Sequence, residues 1–435
     1  MNKREINENA ALGESIVKIR HKSGLDIYVI YKDFNEYSAV FGTRYGSCDS
    51  AFTDKTGENI IIPAGTAHFL EHKMFESSDG GDVSAEFAAI GADANAYTSS
   101  DTTVYLFSCT ERFYDALEIL MKMVLSPHFT EENVKKEQGI IAEEIRMCED
   151  SVSEALYYLL MRAMYGEHPA AVPIAGTLKS VSEIKPELLY KCYNMYYRPS
   201  NMALSVCGRI DPDEVERIAD KLLPISSPVQ EGEASGFPDG AACVSDAANG
   251  TESPVCACSR VEREMEVSKP LFRIGIKYPE GGVDAVCTVL SEILFGECED
   301  FYCGLYEKGL LSENYSYGYA CRRGASYFAV GGDSDDPEAV FSAFCSLAAG
   351  LRENGVSPDA LERAKRVAYA DFLKEFDNIE AVAEDVFDYT IAGADPLSRG
   401  DECMAVTLDE VNAAARRILV PERFALALVN PKRRA

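Results

Sequence analysis

Two of the chain's five histidines fall within twelve residues, Gly65-Thr-Ala-His68-Phe-Leu-Glu71-His72-Lys-Met-Phe-Glu76. Five histidines scattered at random over this length give about 0.05 pairs at spacing four, and a Glu just before the second lowers that to roughly 0.005. On a helix, residues four apart share a face, so the two imidazoles can bind one Zn²⁺ at about 2.0–2.1 Å. Glu71 flanks that face at three residues from His68, placed to take a proton from metal-bound water without ligating the ion. The plainer alternative is an amphipathic helix whose histidines are exposed or satisfied in a core. The remaining histidines, His21, His128 and His168, lie outside any ligand spacing and receive no role.

A catalytic zinc keeps three protein ligands and one open position. Residues 137–149 have a helical pattern, and Glu137 and Glu144 stand seven apart, within about 20° of each other on a helix, with Glu143 about 100° away. Glutamates are common on solvated helix faces, so these acids alone choose no ligand. Cys256 and Cys258, with Cys243 upstream, suggest a second metal clip, but no fourth ligand sits at zinc spacing, and unreactive linker thiols are the better reading.

The elements that must position these groups mix both types. Val17–Arg20, Leu25–Tyr31, Asn95–Phe107, Phe272–Tyr278 and Tyr315–Val330 read as strand, rich in Thr, Tyr and Val. Arg112–Leu125, Glu131–Cys148, Pro337–Glu353 and Pro358–Phe376 read as long amphipathic helices. No G-x-G-x-x-G follows a strand, which excludes a Rossmann reading. The fold class is α+β, with antiparallel sheets and helices packed on them. Residues 225–258 are rich in Gly, Pro, Ser, Ala and acids and read as a linker between residues 1–224 and 259–435. The halves look like distant copies. Each closes with a helix, a proline and a strand, with Pro199 matching Pro421 and Ala203-Leu204 matching Ala425-Leu426.

The 435 residues carry 42 basic and 71 acidic side chains, a net charge of −29. Such a surface repels polyanions and anionic lipid, which argues against nucleic acid and membranes as partners. No apolar run reaches the ~20 residues of a spanning helix, and Met1-Asn-Lys-Arg-Glu-Ile opens no secretory signal. Fourteen cysteines scattered among apolar segments read as reduced thiols. The expected location is the cytoplasm.

His68-x-x-Glu71-His72, followed about seventy residues later by Glu137-x6-Glu144, resembles the pitrilysin/insulinase family of inverted zinc metallopeptidases, peptidase family M16. The likeness extends further. Gly91-Ala-Asp-Ala-Asn95-Ala96-Tyr97-Thr98 resembles the family's G-x-x-x-N-A-x-T strand, which lines the active site and pairs with extended substrate. Arg198-Pro-Ser-Asn201-Met-Ala-Leu resembles its domain-closing strand, and the two-half layout resembles its mitochondrial-processing-peptidase-like subunits of about 450 residues.

The resemblance implies two related α+β halves and a zinc endopeptidase acting on peptides or unfolded segments. It implies His68, His72 and Glu144 as ligands of one Zn²⁺, Glu71 as base and Glu137 as the supporting member of the catalytic set. It makes Asn95, Ala96, Tyr97 and Thr98 substrate-binding. The string GTAHFLEHKMFE further resembles a bacterial subgroup associated with 5-aminopentanol modification of elongation factor P.

Family chambers are built from four α+β domains, and this chain supplies two, so a homo- or heterodimer with a paralogous chain is expected. In active members an Arg in the second half, followed by a Tyr, helps bind substrate. Here Tyr306 holds the Arg position, while Tyr315 or Tyr317 stands for the Tyr. These two residues are the second-half candidates for substrate binding, and sheet packing is the competing reading. The missing Arg predicts a weak peptidase without its partner. The rival function is a non-catalytic peptide-binding or assembly subunit. The negative balance favours basic or weakly charged peptides.

Overall fold

A strand buried on both faces reads as a near-continuous apolar run, and two such runs close the two halves of the sequence, Met202–Gly208 and Phe424–Pro431. The computed structural model describes residues 2–54, 56–77, 80–223 and 252–432. In it both runs are interior strands of separate sheets, each belonging to its own compact unit.

The first unit comprises the described residues of Met1–Ile145, Pro173–Ala247 and Leu373–Ser398. Its strands are β1 (Lys3–Asn9), β2 (Glu14–Arg20), β3 (Asp26–Tyr31), β4 (Tyr37–Thr43), the small pair β5 (Ala51–Thr53) and β6 (Asn59–Ile61), β7 (Ala92–Thr98), β8 (Thr103–Cys109) and β9 (Met202–Gly208). The main sheet runs β1-β2-β3-β9-β4-β8-β7, antiparallel except where β3 meets β9. Helices α1 (Thr66–Met74), α2 (Val83–Ala89), α3 (Phe113–Leu125), α4 (Glu131–Asp150), α6 (Leu178–Ser182), α7 (Pro186–Tyr196) and α8 (Pro212–Leu222) follow in chain order, α5 (Val152–Tyr165) falling in the second unit. Phe69, Leu70, Phe107, Leu117 and Leu204 are buried in the core on one face of this sheet.

The second unit comprises the described residues of Arg146–Val172, Ala248–Phe372 and Arg399–Ala435. Strands β10 (Arg260–Met265), β11 (Leu271–Lys277), β12 (Tyr315–Ala320), β13 (Tyr327–Asp333) and β14 (Phe424–Pro431) form the order β10-β14-β11-β13-β12. Helices α9 (Ala285–Phe295), α10 (Asp300–Glu307), α11 (Pro337–Asn354), α12 (Pro358–Glu375), α14 (Arg399–Ala405) and α15 (Leu408–Ile418) complete it, and α13 (Ile379–Ile391) returns to the first unit. The order β3-β9-β4-β8-β7 recurs as β10-β14-β11-β13-β12, with the same parallel pair in each. The two halves are therefore structurally related, each an antiparallel-dominated sheet with packed helices.

The compact units do not follow the sequence halves. Strands β9 and β14 need helices on both faces, and on one face each receives a helix from the other half of the chain. Helix α13 packs on β4 and β9, while α5 packs on β11 and β14. The sheets are also more finely divided than their β-rich sequences suggest. Asn95–Phe107 is a hairpin because Ser99 turns the chain, its Oγ accepting from the Asp101 and Thr102 amides at 3.1 and 3.0 Å. Tyr315–Val330 folds back likewise as β12 and β13 around Gly324, at φ 70. Of the expected linker only residues 252–258 are described, and Cys243 lies outside the described residues.

Candidate metal centre and active site

Helix α1 is short and buried nearly all round, with Thr66, Ala67, Phe69, Leu70 and Met74 in the core and His68 and Glu71 buried beside them. It starts at Gly65, whose φ of 92 suits glycine, and a Cβ there would stand 2.5 Å from the Ala175 carbonyl oxygen. The helix is thus seated tightly at its N-terminus, which fixes where His68 and His72 point. Their rings stand 4.5 Å apart, centroid to centroid.

Helix α4 brings Glu144 across to both. One carboxylate oxygen lies 3.4 Å from His68 Nε2 and the other 3.6 Å from His72 Nε2. Two ligands at about 2.05 Å from one ion in tetrahedral array are ~3.3 Å apart, so these separations suit a shared ion. Among the described residues, His68, His72 and Glu144 form the one group of three or more His, Cys, Asp or Glu side chains that can hold a metal ion, with ligand atoms within 4.8 Å of one another. Glu143, next in sequence, is exposed. Cys256 and Cys258 belong to no such group.

The charges around the three are ordered. Glu137 Oε1 accepts from His72 Nδ1 at 3.0 Å, which leaves the Nε2 lone pair free for a metal. His68 Nδ1 is buried without a hydrogen-bond partner. The bond from His68 holds the Glu144 carboxyl below its usual value against the effect of burial. Burial raises Glu137, but the His72 hydrogen bond and the Lys73 charge outweigh it and bring the carboxyl below normal. Burial likewise lowers His72, yet the bond to Glu137 and the surrounding carboxylates raise its affinity for a proton overall. Glu71 differs. Desolvation dominates and raises its pKa, although Thr98 Oγ1 donates to Glu71 Oε2 at 2.6 Å.

A cleft of about 420 Å³ opens at this point, with Glu71, His72, Phe75, Ala94, Asn95 and Ala96 among its lining residues. Among the described residues strand β7 ends its sheet, paired with β8 on one side only, so it presents an outer backbone edge of the kind an extended peptide pairs with, and there the Ala96 amide donates to Asn95 Oδ1 at 2.9 Å. Asn95 and Ala96 thus stand at the cleft beside Glu71 and His72. Thr98 turns its hydroxyl to Glu71, a contact the strand resemblance gave no sign of. Tyr97 points to the opposite sheet face, where it packs with the cluster of Val382 and Phe387 and its phenol is held high by burial beside Glu384. Tyr315 and Tyr317 belong to the second unit, where their hydroxyls donate to the Phe295 carbonyl at 2.8 Å and to Glu292 at 3.0 Å. The sequence reading also passed over Lys73, whose side chain is fully buried beside Glu137.

Comparison with known proteins fits this geometry. The insulinase (peptidase family M16) profile matches residues 63–178, and the peptidase M16 inactive-domain profile matches residues 183–367. A Bacillus subtilis (strain 168) protein described as the uncharacterized zinc protease YmfH is 34% identical over 98% of this chain and 99% of its own length. The chain belongs to peptidase family M16. The M16-like peptidase of Alicyclobacillus acidocaldarius superposes with a TM-score of 0.87 at 32% identity, covering 96% of this chain and 99% of its own. Pitrilysin, at 14% identity and TM-score 0.75, shares the fold over 99% of this chain but only 46% of its own. His68, Glu71, His72, Glu137 and Glu144 all fall in the first M16 segment, and the inactive-domain segment begins after them.

Proposed function

We propose that this M16 chain is a zinc-dependent endopeptidase that cleaves peptides or unfolded polypeptide segments held extended against β7. The observation that carries the reading is the convergence of His68, His72 and Glu144 on one point, with Glu71 beside them at the mouth of the cleft. Two neutral imidazoles and one carboxylate suit zinc, and a bound zinc would supply a Lewis acid that activates water and polarises the scissile carbonyl. The chain's own residues do the rest. Glu71 takes the proton of the attacking water and returns it to the leaving amine, with Thr98 anchoring the carboxylate oxygen Oε2 so that Oε1 remains for proton transfer. Glu137 sets the His72 tautomer. The β7 edge at Asn95 and Ala96 aligns the peptide through backbone hydrogen bonds, which tolerate many side chains. A net charge of −29 favours basic or weakly charged peptides.

The purified chain is expected to hold about one zinc. Removing it with a chelator should abolish cleavage of a quenched peptide, and zinc should restore it. Cleavage that continues in the stripped chain overturns the reading.

A second reading, a weakly catalytic or assembly subunit, is favoured by Tyr306 at the family's Arg position and by hydroxyls of Tyr315 and Tyr317 that are engaged within their own unit. Both readings take a second chain of similar build, because this chain spans under half of pitrilysin. No helix among the described residues is long and apolar enough to cross a membrane. Burial pushes the Cys192 and Cys207 thiols up to about 12, which suits inert cysteines.

A further inference from the structure

The side chain of Lys73 is fully buried, although its neighbours in the sequence are the His72 ligand and the core residue Met74. A buried ammonium is costly unless it is paired, and methionine would fill the same space without a charge. Two carboxylates face Lys73 Nζ: Glu76, which it contacts closely, and Glu137 Oε2 at 3.5 Å. Both line the cleft, but Glu76 keeps 24% of its side chain exposed, so water can serve it. Glu137 is more enclosed, at 10%, and its other oxygen is committed to His72 Nδ1. The four groups form a line, Glu76, Lys73, Glu137, His72, that ends on the candidate metal ligand.

We propose that Lys73 is a positioning residue: by anchoring one oxygen of Glu137 it holds the other on His72 Nδ1, fixes the imidazole's plane and tautomer, and so sets how tightly the centre keeps its metal. The physical basis is geometric. A carboxylate held by one oxygen alone can swing about its terminal bond, whereas a fixed charge at the second oxygen confines it. Groups that bond a metal ligand directly, as Glu137 bonds His72, commonly change metal affinity by about 10–100-fold when removed, and Lys73, one step further out, is expected at the low end of that range. This role rests on the zinc centre proposed above.

The test compares the full-length chain with Lys73→Met, Glu137→Gln and the double variant. Zinc affinity is read by competition with a chromophoric chelator, and the absorption bands of the cobalt-loaded proteins report ligand geometry. Lys73→Met is expected to weaken zinc binding about tenfold and to shift the cobalt bands. Because Lys73 acts through Glu137, adding Lys73→Met to Glu137→Gln should cost less than about twofold more. A folded Lys73→Met protein with parent affinity and an unchanged cobalt spectrum overturns the proposal, as do losses that multiply in the double variant. Where Lys73→Met does not fold, Lys73→Gln, which keeps a donor without the charge, takes its place under the same criteria. A parent chain that binds no zinc fails differently, since it removes the centre itself.

Discussion

Glu143 and Glu144 are chemically identical neighbours, and only helical phase separates them. A spacing of seven from Glu137 sets Glu144 toward α1, where it meets both histidines, and leaves Glu143 exposed. We therefore expect Glu144→Gln to weaken zinc binding by about 100-fold or more, and Glu143→Gln to leave it within about twofold of the parent. A metal assay with the opposite pattern would move the ligand by one residue. At this scale the sequence was informative wherever chemistry and spacing coincide within one helix, as in His68, Glu71 and His72. Contacts that bridge long separations left no such mark. Thr98 reaches Glu71 across 27 positions, and nothing local distinguishes its hydroxyl from any other strand threonine. Nothing in the local sequence marks Lys73 as buried, and only the packing around α1 shows that it is.

At the scale of elements, the strands and long helices follow from residue type and period, and the repeat at Pro199 and Pro421 reappears as matching helix, 3-10 turn and interior strand. What the local pattern did not carry is which sheet an amphipathic helix covers. Helices α5 and α13 have ordinary apolar faces, and their exchange between units is fixed by the need to cover β14 and β9. Glycines mark the contacts. A Cβ at Gly42 of β4 would lie 2.5 Å from Phe387 of α13, and one at the equivalent Gly275 of β11 would lie 2.7 Å from Met164 of α5. These glycines pair with Ala203 and Ala425, the alanines matched between the halves, so each sheet offers a low spot where its exchanged helix docks. Gly42→Ala also brings the new methyl within 2.9 Å of the Thr103 carbonyl oxygen, so relief by moving Phe387 alone is incomplete. The variant should lose about 1–3 kcal/mol in chemical unfolding while keeping its zinc content. An unchanged unfolding midpoint would show that the docking of α13 is looser than these distances imply.

The whole molecule has a strongly negative charge and two similar units, and among the described residues the candidate metal centre lies in the first of them. The second unit repeats the sheet order of the first without the ligands, so its contribution is expected to be structural or to lie in substrate binding. The proposed reading takes a second chain of similar build. Light scattering alongside peptide turnover is expected to show a dimer, or a gain in activity with a paralogous chain, and a strict monomer with full, concentration-independent turnover would contradict the pairing. The central claim concerns hydrolysis, and it is tested most directly by Glu71→Gln. Glu71 is not one of the three grouped ligand side chains, and Gln keeps its shape, so the substitution should spare the metal. The decisive measurement is zinc content and quenched-peptide turnover on the same preparation of parent and Glu71→Gln protein. The account predicts about one zinc per chain in both and a turnover roughly 10²–10⁴-fold lower in the variant. A Glu71→Gln chain that keeps its zinc and cleaves at the parent rate would contradict it.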